Sequence, residues 1–553
     1  MKTTKNIARL AATAGLTAAL SFGGVMNPVA MAFAADAADG SVTIENVKDN
    51  ATEFKGYQIF KADVATVKGE TVASNITWAN DDVEKAVEKV IGDIDSSYTG
   101  KTAQDAADWI AENVKGTTDT TRVDFDSTAY KIASAVDGLT EYKTTNGRVA
   151  TGLSHGYWLF VTDSTTIGEG EAGTSPIFTV VGSASVKVAE KTGIPTVEKK
   201  IMDDKPGSEW ADKADSQVGQ DVQYQLTGTV ADNVATFDTY YYEFHDELSA
   251  GLTAKENSVV VKIGDTTLSR NTTPGTNTGY DVSINANNTL TVKFTNLKVA
   301  AKQAGATLDG SSNVVVTYTA QLDPAKAEKV VVGGKGNDNA VKLIYSNNPM
   351  SEGTGESVPD TVRDYTYALK LVKEDSADNT KLKDVMFTIK ATGTDELESG
   401  KVGTQYVQEN GSLGDGEHKF KTNENGEINV KGLDAGTYTV HEVEGSNPGY
   451  NTLPNFTFTI KAEGLNKDEG AALDEFTAAN TLKVTAQQND SALVTPSVDN
   501  GTVTLVVQNK KGSNLPLTGL NGVTFTWIAG GAVLCIGVAH LIRSRKRDEG
   551  SEE

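Results

Sequence analysis

Six polar residues stand at positions where strand-like alternation would place apolar ones. Successive side chains of a strand point to opposite faces, so residues two apart share a face. Late in the chain Leu369, Leu371 and Lys373 fall on one face, as do Tyr438, Val440 and Glu442, and again Val503, Leu505, Val507 and Asn509. Earlier, the pattern recurs in Val197, Lys199 and Ile201, in Tyr240, Tyr242, Phe244 and Asp246, and in Asn339, Val341, Leu343 and Tyr345. Each set offers one lysine, one acid and one asparagine on faces that are otherwise apolar. An isolated buried ammonium or carboxylate is strongly disfavoured, so such groups must pair or change protonation state. Two arrangements satisfy them. One is a buried ion pair with an asparagine hydrogen bond. In the other, desolvation lowers the lysine pKa and raises that of the acid. The neutral amine then attacks the carboxamide carbon while the acid polarises its oxygen and relays protons; ammonia leaves and an isopeptide bond remains. Lys200 and Asn337 are alternatives in the earlier set, Lys200 on the opposite parity and Asn337 farther out on its strand.

The elements that must position these groups are mainly strands. Val222, Tyr224, Leu226 and Val314, Val316, Tyr318 alternate with polar residues, which predicts half-buried antiparallel strands. Val83, Ala86, Val87, Val90, Ile91 and then Ala106, Trp109, Ile110 follow helical spacing instead, so the first domain is mixed, with short helices. Thr192-Gly193-Ile194-Pro195 and the stretch from Asn347 to Gly355 read as linkers. Three domains are expected, at 35–193, 194–360 and 361–512, strung as beads on a rod with no strict repeat.

Composition narrows the function classes. The 553 residues carry 50 Lys and Arg against 74 Asp and Glu, a net charge of -24, which leaves no basic face for nucleic acid. The one cysteine, Cys535, excludes an intrachain disulfide and a multi-thiolate metal site. Residues 1–34 read as a secretory signal: Lys2, Lys5 and Arg9, an apolar run, then Ala32-Phe33-Ala34. Residues 523–542 are apolar enough to span a membrane as a helix, and the 543–553 tail opens with Arg543, Arg545, Lys546 and Arg547, which places it in the cytoplasm.

Just before that span, Leu515-Pro516-Leu517-Thr518-Gly519 matches the L-P-x-T-G sorting signal, and motif, apolar span and basic tail come in the order that signal requires. The chain thus resembles sortase substrates of Gram-positive bacteria. In such substrates a sortase cleaves after the threonine, so Leu515, Pro516, Thr518 and Gly519 are the implied cleavage residues. Lys370 to Asp375 followed by Val385-Met386-Phe387, and Tyr438 to Glu442 followed by Pro448-Gly449-Tyr450, resemble collagen-adhesin B-type immunoglobulin-like domains and their "E-box". Pro195 to Lys200, His245 to Leu248 and Asn339 to Asn348 resemble the isopeptide-forming second domain of fimbrial backbone subunits.

The resemblance implies tandem immunoglobulin-like β-sandwiches and a sortase-assembled major pilin, anchored to the cell wall and supporting adhesion. It implies Lys373 as nucleophile, Glu442 as catalytic acid and Asn509 as acceptor in the last domain, with Lys199, Asp246 and Asn339 in the same roles in the middle one. Lys191 is the implied acceptor between subunits, standing where backbone pilins carry V-Y-P-K, with Lys187 the alternative. Implied partners are sortases, identical subunits, peptidoglycan, minor pilins and host surface ligands; no cofactor or metal is expected. A non-polymerised or minor wall-anchored adhesin is the first alternative. A wall-anchored hydrolase is the second, and little supports it: the five histidines show no metal-ligand spacing, and Asp81-Asp82 and Asp203-Asp204 read as solvated turns.

Overall fold

The computed structural model describes residues 8–9, 38–45, 52–67, 70–100, 102–114, 123–168, 170–190, 192–204, 207–392, 405–463, 465, 482–487 and 493–512. Nearly all of the 1–34 signal, Lys191, the 515–519 motif, the 523–542 span and the 543–553 tail therefore lie outside the described residues. Among the described residues, no helix is long and apolar enough to cross a membrane.

The first region is mixed. Its larger sheet runs Glu70–Trp78, Phe54–Val67, Gly156–Thr162, Ile177–Val181. A smaller sheet joins Val149–Leu153, Gly40–Glu45 and Ser185–Ala189. Three helices, Asp81–Ile94, Ala103–Asn113 and Thr128–Asp137, cover one face of the larger sheet, where Val83, Val87, Ile91, Ile110 and Ile132 pack with Tyr57, Ile59 and Leu159. The other face packs Phe54, Trp158 and Phe160 against Val42 and Ile44 of the smaller sheet. This explains why Gly156–Thr162 is buried along its whole length: both of its faces are covered. Thr128–Asp137 is a helix the spacing analysis did not single out. Asp81 and Asp82 sit in the first turn of the helix that Asn80 caps, where acids favour the dipole.

The middle region is a two-sheet sandwich. One sheet contains Val197–Met202, Val222–Thr229, Asn313–Leu322 and Val260–Ile263 in that order; the other contains Asp360–Tyr365, Asn337–Ser346, Tyr242–Leu248 and Thr289–Phe294. Their inner faces share one core, including Ile201, Tyr224, Leu226, Phe244, Val316 and Leu343. Strict alternation of burial along Asn313–Leu322 and Asn337–Ser346 follows from one face packed and one face solvated. Asp360–Tyr365 pairs with Asn337–Val341, so this sheet runs on past residue 360. The 347–355 stretch is more than a linker: it carries the Thr354–Glu356 strand, and the Asn347 carbonyl accepts from Gly173 N in the first region at 2.5 Å.

The last region opposes a four-stranded sheet, Glu427–Leu433, Tyr367–Asp375, Thr502–Asn509, Val494–Asp499, to a second sheet that includes Met386–Ala391, Gly436–Glu442 and Phe456–Ala462. Asn500 and Gly501, both at positive φ, form the two-residue turn between Asp499 and Thr502, the hairpin geometry that Asn-Gly supplies at least strain. That turn sets the register that carries Val503, Leu505, Val507 and Asn509 to the inside. Tyr367–Asp375 lies parallel to Thr502–Asn509, with Lys373 opposite Val507 and Asp375 opposite Asn509.

The middle and last regions meet through a loop. Gln217 is buried at the junction; its amide donates to the Gly411 carbonyl and accepts from Asp434 N and Tyr438 Oη, both at 3.1 Å.

Candidate functional site

In the last region the three residues picked out by parity converge. Lys373, Glu442 and Asn509 are 0%, 1% and 1% exposed. Lys373 and Asn509 come from the adjacent parallel strands, while Glu442 projects from the opposing sheet. Lys373 Nζ donates to Asn509 Oδ1 and lies 3.5 Å from Glu442 Oε2. Asn509 Nδ2 donates to Glu442 Oε1 at 2.7 Å, and Leu453 N donates to Glu442 Oε2 at 3.3 Å. One carboxyl group thus touches both the amine and the amide nitrogen. Burial pulls the Lys373 amine from its ordinary 10.5 down to about 8, against the opposing pull of Glu442. The Phe387 ring lies 5.8 Å from Nζ.

Tyr450, at the end of the Pro448-Gly449-Tyr450 motif, donates from its hydroxyl to Asp375 at 2.8 Å and bridges to Lys511, closing this end of the sandwich.

The middle region assembles the same residue types with a fourth member. Lys199 and Asp246 are fully buried and Asn339 is 1% exposed. Here the lysine lies on one sheet, and the acid and the asparagine lie on neighbouring strands of the other. Lys199 Nζ donates to Asp246 Oδ1 and, at 3.1 Å, to Tyr318 Oη. Tyr318 Oη donates to Asp246 Oδ2 at 2.6 Å and accepts from Asn339 Nδ2 at 2.7 Å. Burial lowers Lys199 to about 8, opposed by Asp246. Alternation places Tyr318 on a half-buried strand and assigns it no chemistry. Its parity with Val314 and Val316 already turned its hydroxyl inward, which is the signal that could have marked it.

The alternatives in the middle set go elsewhere. Lys200 points to the other face, where Nζ donates to Asp212 at 2.7 Å. The Asn337 side chain is spent on backbone groups, accepting from Val331 N and donating to the carbonyls of Val331 and Asp364. Of the two intersubunit candidates, Lys187 is an exposed strand residue whose Nζ donates to Glu45 Oε1 at 2.5 Å, a contact that raises its pKa; Lys191 lies outside the described residues.

Two sandwiches in tandem, each with a lysine on its first long strand and an asparagine on a late one, invite comparison with known proteins. Residues 367–471 match the family model of the SpaA prealbumin-like fold domain. No curated protein sequence matches the chain. Among solved structures, the T6 backbone pilin of Streptococcus pyogenes is similar at 14% identity and a TM-score of 0.50, covering 86% of this chain and 98% of that one. The full-length major pilin SpaD of Corynebacterium diphtheriae also matches, at 16% identity and a TM-score of 0.42, over 86% of this chain and 98% of its own. BcpA, the major pilin subunit of Bacillus cereus, matches at 18% identity and a TM-score of 0.37, over 67% of this chain and 90% of its own. The structural neighbours are major or backbone pilins of Gram-positive bacteria, and the T6 likeness establishes a shared fold. The SpaA-like match covers the strands that carry Lys373 and Glu442 and stops before the one that carries Asn509.

Proposed function

We propose that this chain is a structural major pilin subunit, polymerised covalently by sortase into wall-anchored fimbriae and stiffened by autocatalytic isopeptide bonds. The observation that carries the reading is the pair of buried lysine, acid and asparagine clusters in successive sandwiches. Lys373 is the nucleophile, Glu442 the proton-transferring acid and Asn509 the acceptor in one; Lys199, Asp246 and Asn339 hold these roles in the other. An amine brought down to about 8 by burial has a sizeable neutral fraction near neutral pH, which attack on a carboxamide requires. The three domains at 35–193, 194–360 and 361–512 form the shaft unit, with the middle sandwich extended to Tyr365. Sortase acts at Leu515-Pro516-Leu517-Thr518-Gly519, and the Thr518 carbonyl passes to Lys191 or Lys187 of another subunit or to peptidoglycan. The surface position of Lys187 supports it as an accessible acceptor.

A bond from Lys373 to Asn509 spans 136 residues of sequence and, like a long-loop disulfide, stabilises by roughly 5 kcal/mol through lost chain entropy. It also lets tension pass between the first and last strands of the sandwich through a covalent link instead of through a ladder of hydrogen bonds. The intact mass of the ectodomain tests the bonds: about 17 Da is lost for each condensation that expels ammonia. An unshifted mass rejects them. A denaturing immunoblot of wall extracts tests polymerisation. A heat-stable ladder in wild type that disappears in Lys191→Ala or Lys187→Ala names the acceptor, whereas a single wild-type band points to the singly anchored adhesin.

A further inference from the structure

We propose that Tyr318 is a catalytic residue of the middle site, carrying the proton from Asp246 to the departing amide nitrogen of Asn339. The inference rests on the isopeptide reading above and adds a fourth member to one of its two sites. In the last region Glu442 reaches Asn509 Nδ2 directly, at 2.7 Å. Aspartate is one methylene shorter, and in the middle region the hydroxyl of Tyr318 fills the interval, 2.6 Å from Asp246 Oδ2 and 2.7 Å from Asn339 Nδ2. A phenol has one proton and two lone pairs. Here the proton goes to Asp246, and the lone pairs accept from Asn339 Nδ2 and Lys199 Nζ. The hydroxyl therefore touches the nucleophile, the acid and the leaving group together. Burial first, and Asp246 next, hold its pKa well above that of free tyrosine, so it stays protonated and able to donate. Asn339 Oδ1 is buried with no hydrogen-bond partner, which leaves the nitrogen end of the carboxamide as the end the site engages.

The step balances. Lys199 gives one proton to Asp246 Oδ1 and becomes a neutral amine. The Nζ–Cγ bond to Asn339 forms; the Asp246 carboxyl turns to present the proton it has taken to Tyr318 Oη, which accepts it while passing its own proton to Nδ2. The Cγ–Nδ2 bond breaks with its electron pair on nitrogen, and ammonia leaves. The second proton shed by Nζ returns to Asp246 Oδ1, and the ammonia carries it away as ammonium.

Tyr224 supplies an internal control. Its ring stacks on that of Tyr318 with centroids 5.3 Å apart, it is equally buried, and its hydroxyl has no hydrogen-bond partner. The full ectodomain is expressed as wild type, Tyr318→Phe, Tyr224→Phe, and Tyr318→Phe combined with Asp246→Glu. The Lys199 to Asn339 link is followed with time by intact mass and by tandem mass spectrometry of the branched peptide. Tyr318→Phe is expected to slow this link on the order of 100-fold, the usual contribution of a positioned proton donor. Tyr224→Phe should link at the wild-type rate. The added methylene of Asp246→Glu should restore much of the loss, because a glutamate can reach Nδ2 without the phenol. The link from Lys373 to Asn509 should form normally in every variant. Wild-type linkage in Tyr318→Phe overturns the relay. So does equal slowing in Tyr224→Phe, or a Tyr318→Phe chain that Asp246→Glu does not recover. Absence of the Lys199 to Asn339 peptide from wild type would instead reject the isopeptide reading of the middle site, a separate result.

Discussion

The middle and last sandwiches solve one problem with two geometries. In the last, amine and carboxamide sit on neighbouring parallel strands of one sheet, and a glutamate from the other sheet covers both. In the middle, amine and carboxamide face each other from opposite sheets, and a shorter aspartate works beside a tyrosine hydroxyl. The proposed bond of the last region would tie two strands within a sheet; that of the middle region would rivet the two sheets together. The lesson is that a hydrogen-bonded path from carboxyl to amide nitrogen is what the two sites share, whereas its length and the side chains that make it differ.

The harshest way to break this comparison is to remove each acid. Glu442→Ala is expected to abolish only the last bond and Asp246→Ala only the middle one, so each variant's ectodomain should fall about 17 Da short of its own sequence mass where wild type falls about 34 Da short. Each loss should lower the melting temperature of its own domain by roughly 10–20 °C, the equivalent of about 5 kcal/mol of chain entropy in a domain of this size. A shift in both bonds from one substitution would contradict the separation of the sites.

Changing the reach of the acid sharpens the same point. Glu442→Asp should slow the last bond by about 100-fold, since the ring beside that lysine is Phe387, which has no hydroxyl to bridge the gap. Asp246→Glu, in contrast, should leave the middle bond nearly intact. Time courses of intact mass measure both; equal tolerance at the two sites would show that reach is not what separates them.

Acidity should unite them. Both amines are lowered to about 8 by burial, and each site must keep the lysine's proton in order to pass it to the leaving nitrogen, so both bonds should form more slowly as pH rises above about 8. In Asn339→Ala or Asn509→Ala the lysine persists unlinked, with its folded pKa below its unfolded one. Between those values the unfolded chain binds more protons, so stability should rise as pH climbs from about 8 toward 10.5 and be least below 8. Chemical denaturation across that range checks the sign; a fall in stability would mean the buried amines are held charged. The smallest effect should come from the joint between the regions. Gln217→Ala should leave both bonds in place and cost about 1–2 kcal/mol, as its backbone and tyrosine partners lose their side-chain contacts; unfolding of the ectodomain measures it.

Alternation alone marked both lysines, both acids and both asparagines, because a strand's period of two leaves a polar residue no choice of face once its neighbours are apolar. The same rule separated Lys199 from Lys200, whose side chain turns to Asp212 instead. Helical spacing likewise announced the 81–94 and 103–113 helices, though Thr128–Asp137 escaped notice because its small buried face, Ala129, Ile132, Ala133 and Val136, is half alanine. What periodicity could not reach was pairing between strands distant in sequence. That Lys373 lies beside Asn509 depends on a parallel register across 136 residues, and that Lys199 meets Asn339 through Tyr318 depends on how two sheets stack. Local sequence determines which face a side chain takes, since that is set by backbone geometry within a few residues. Which groups touch, and whether a hydroxyl stands between them, was decided only by the packing of one sheet against another.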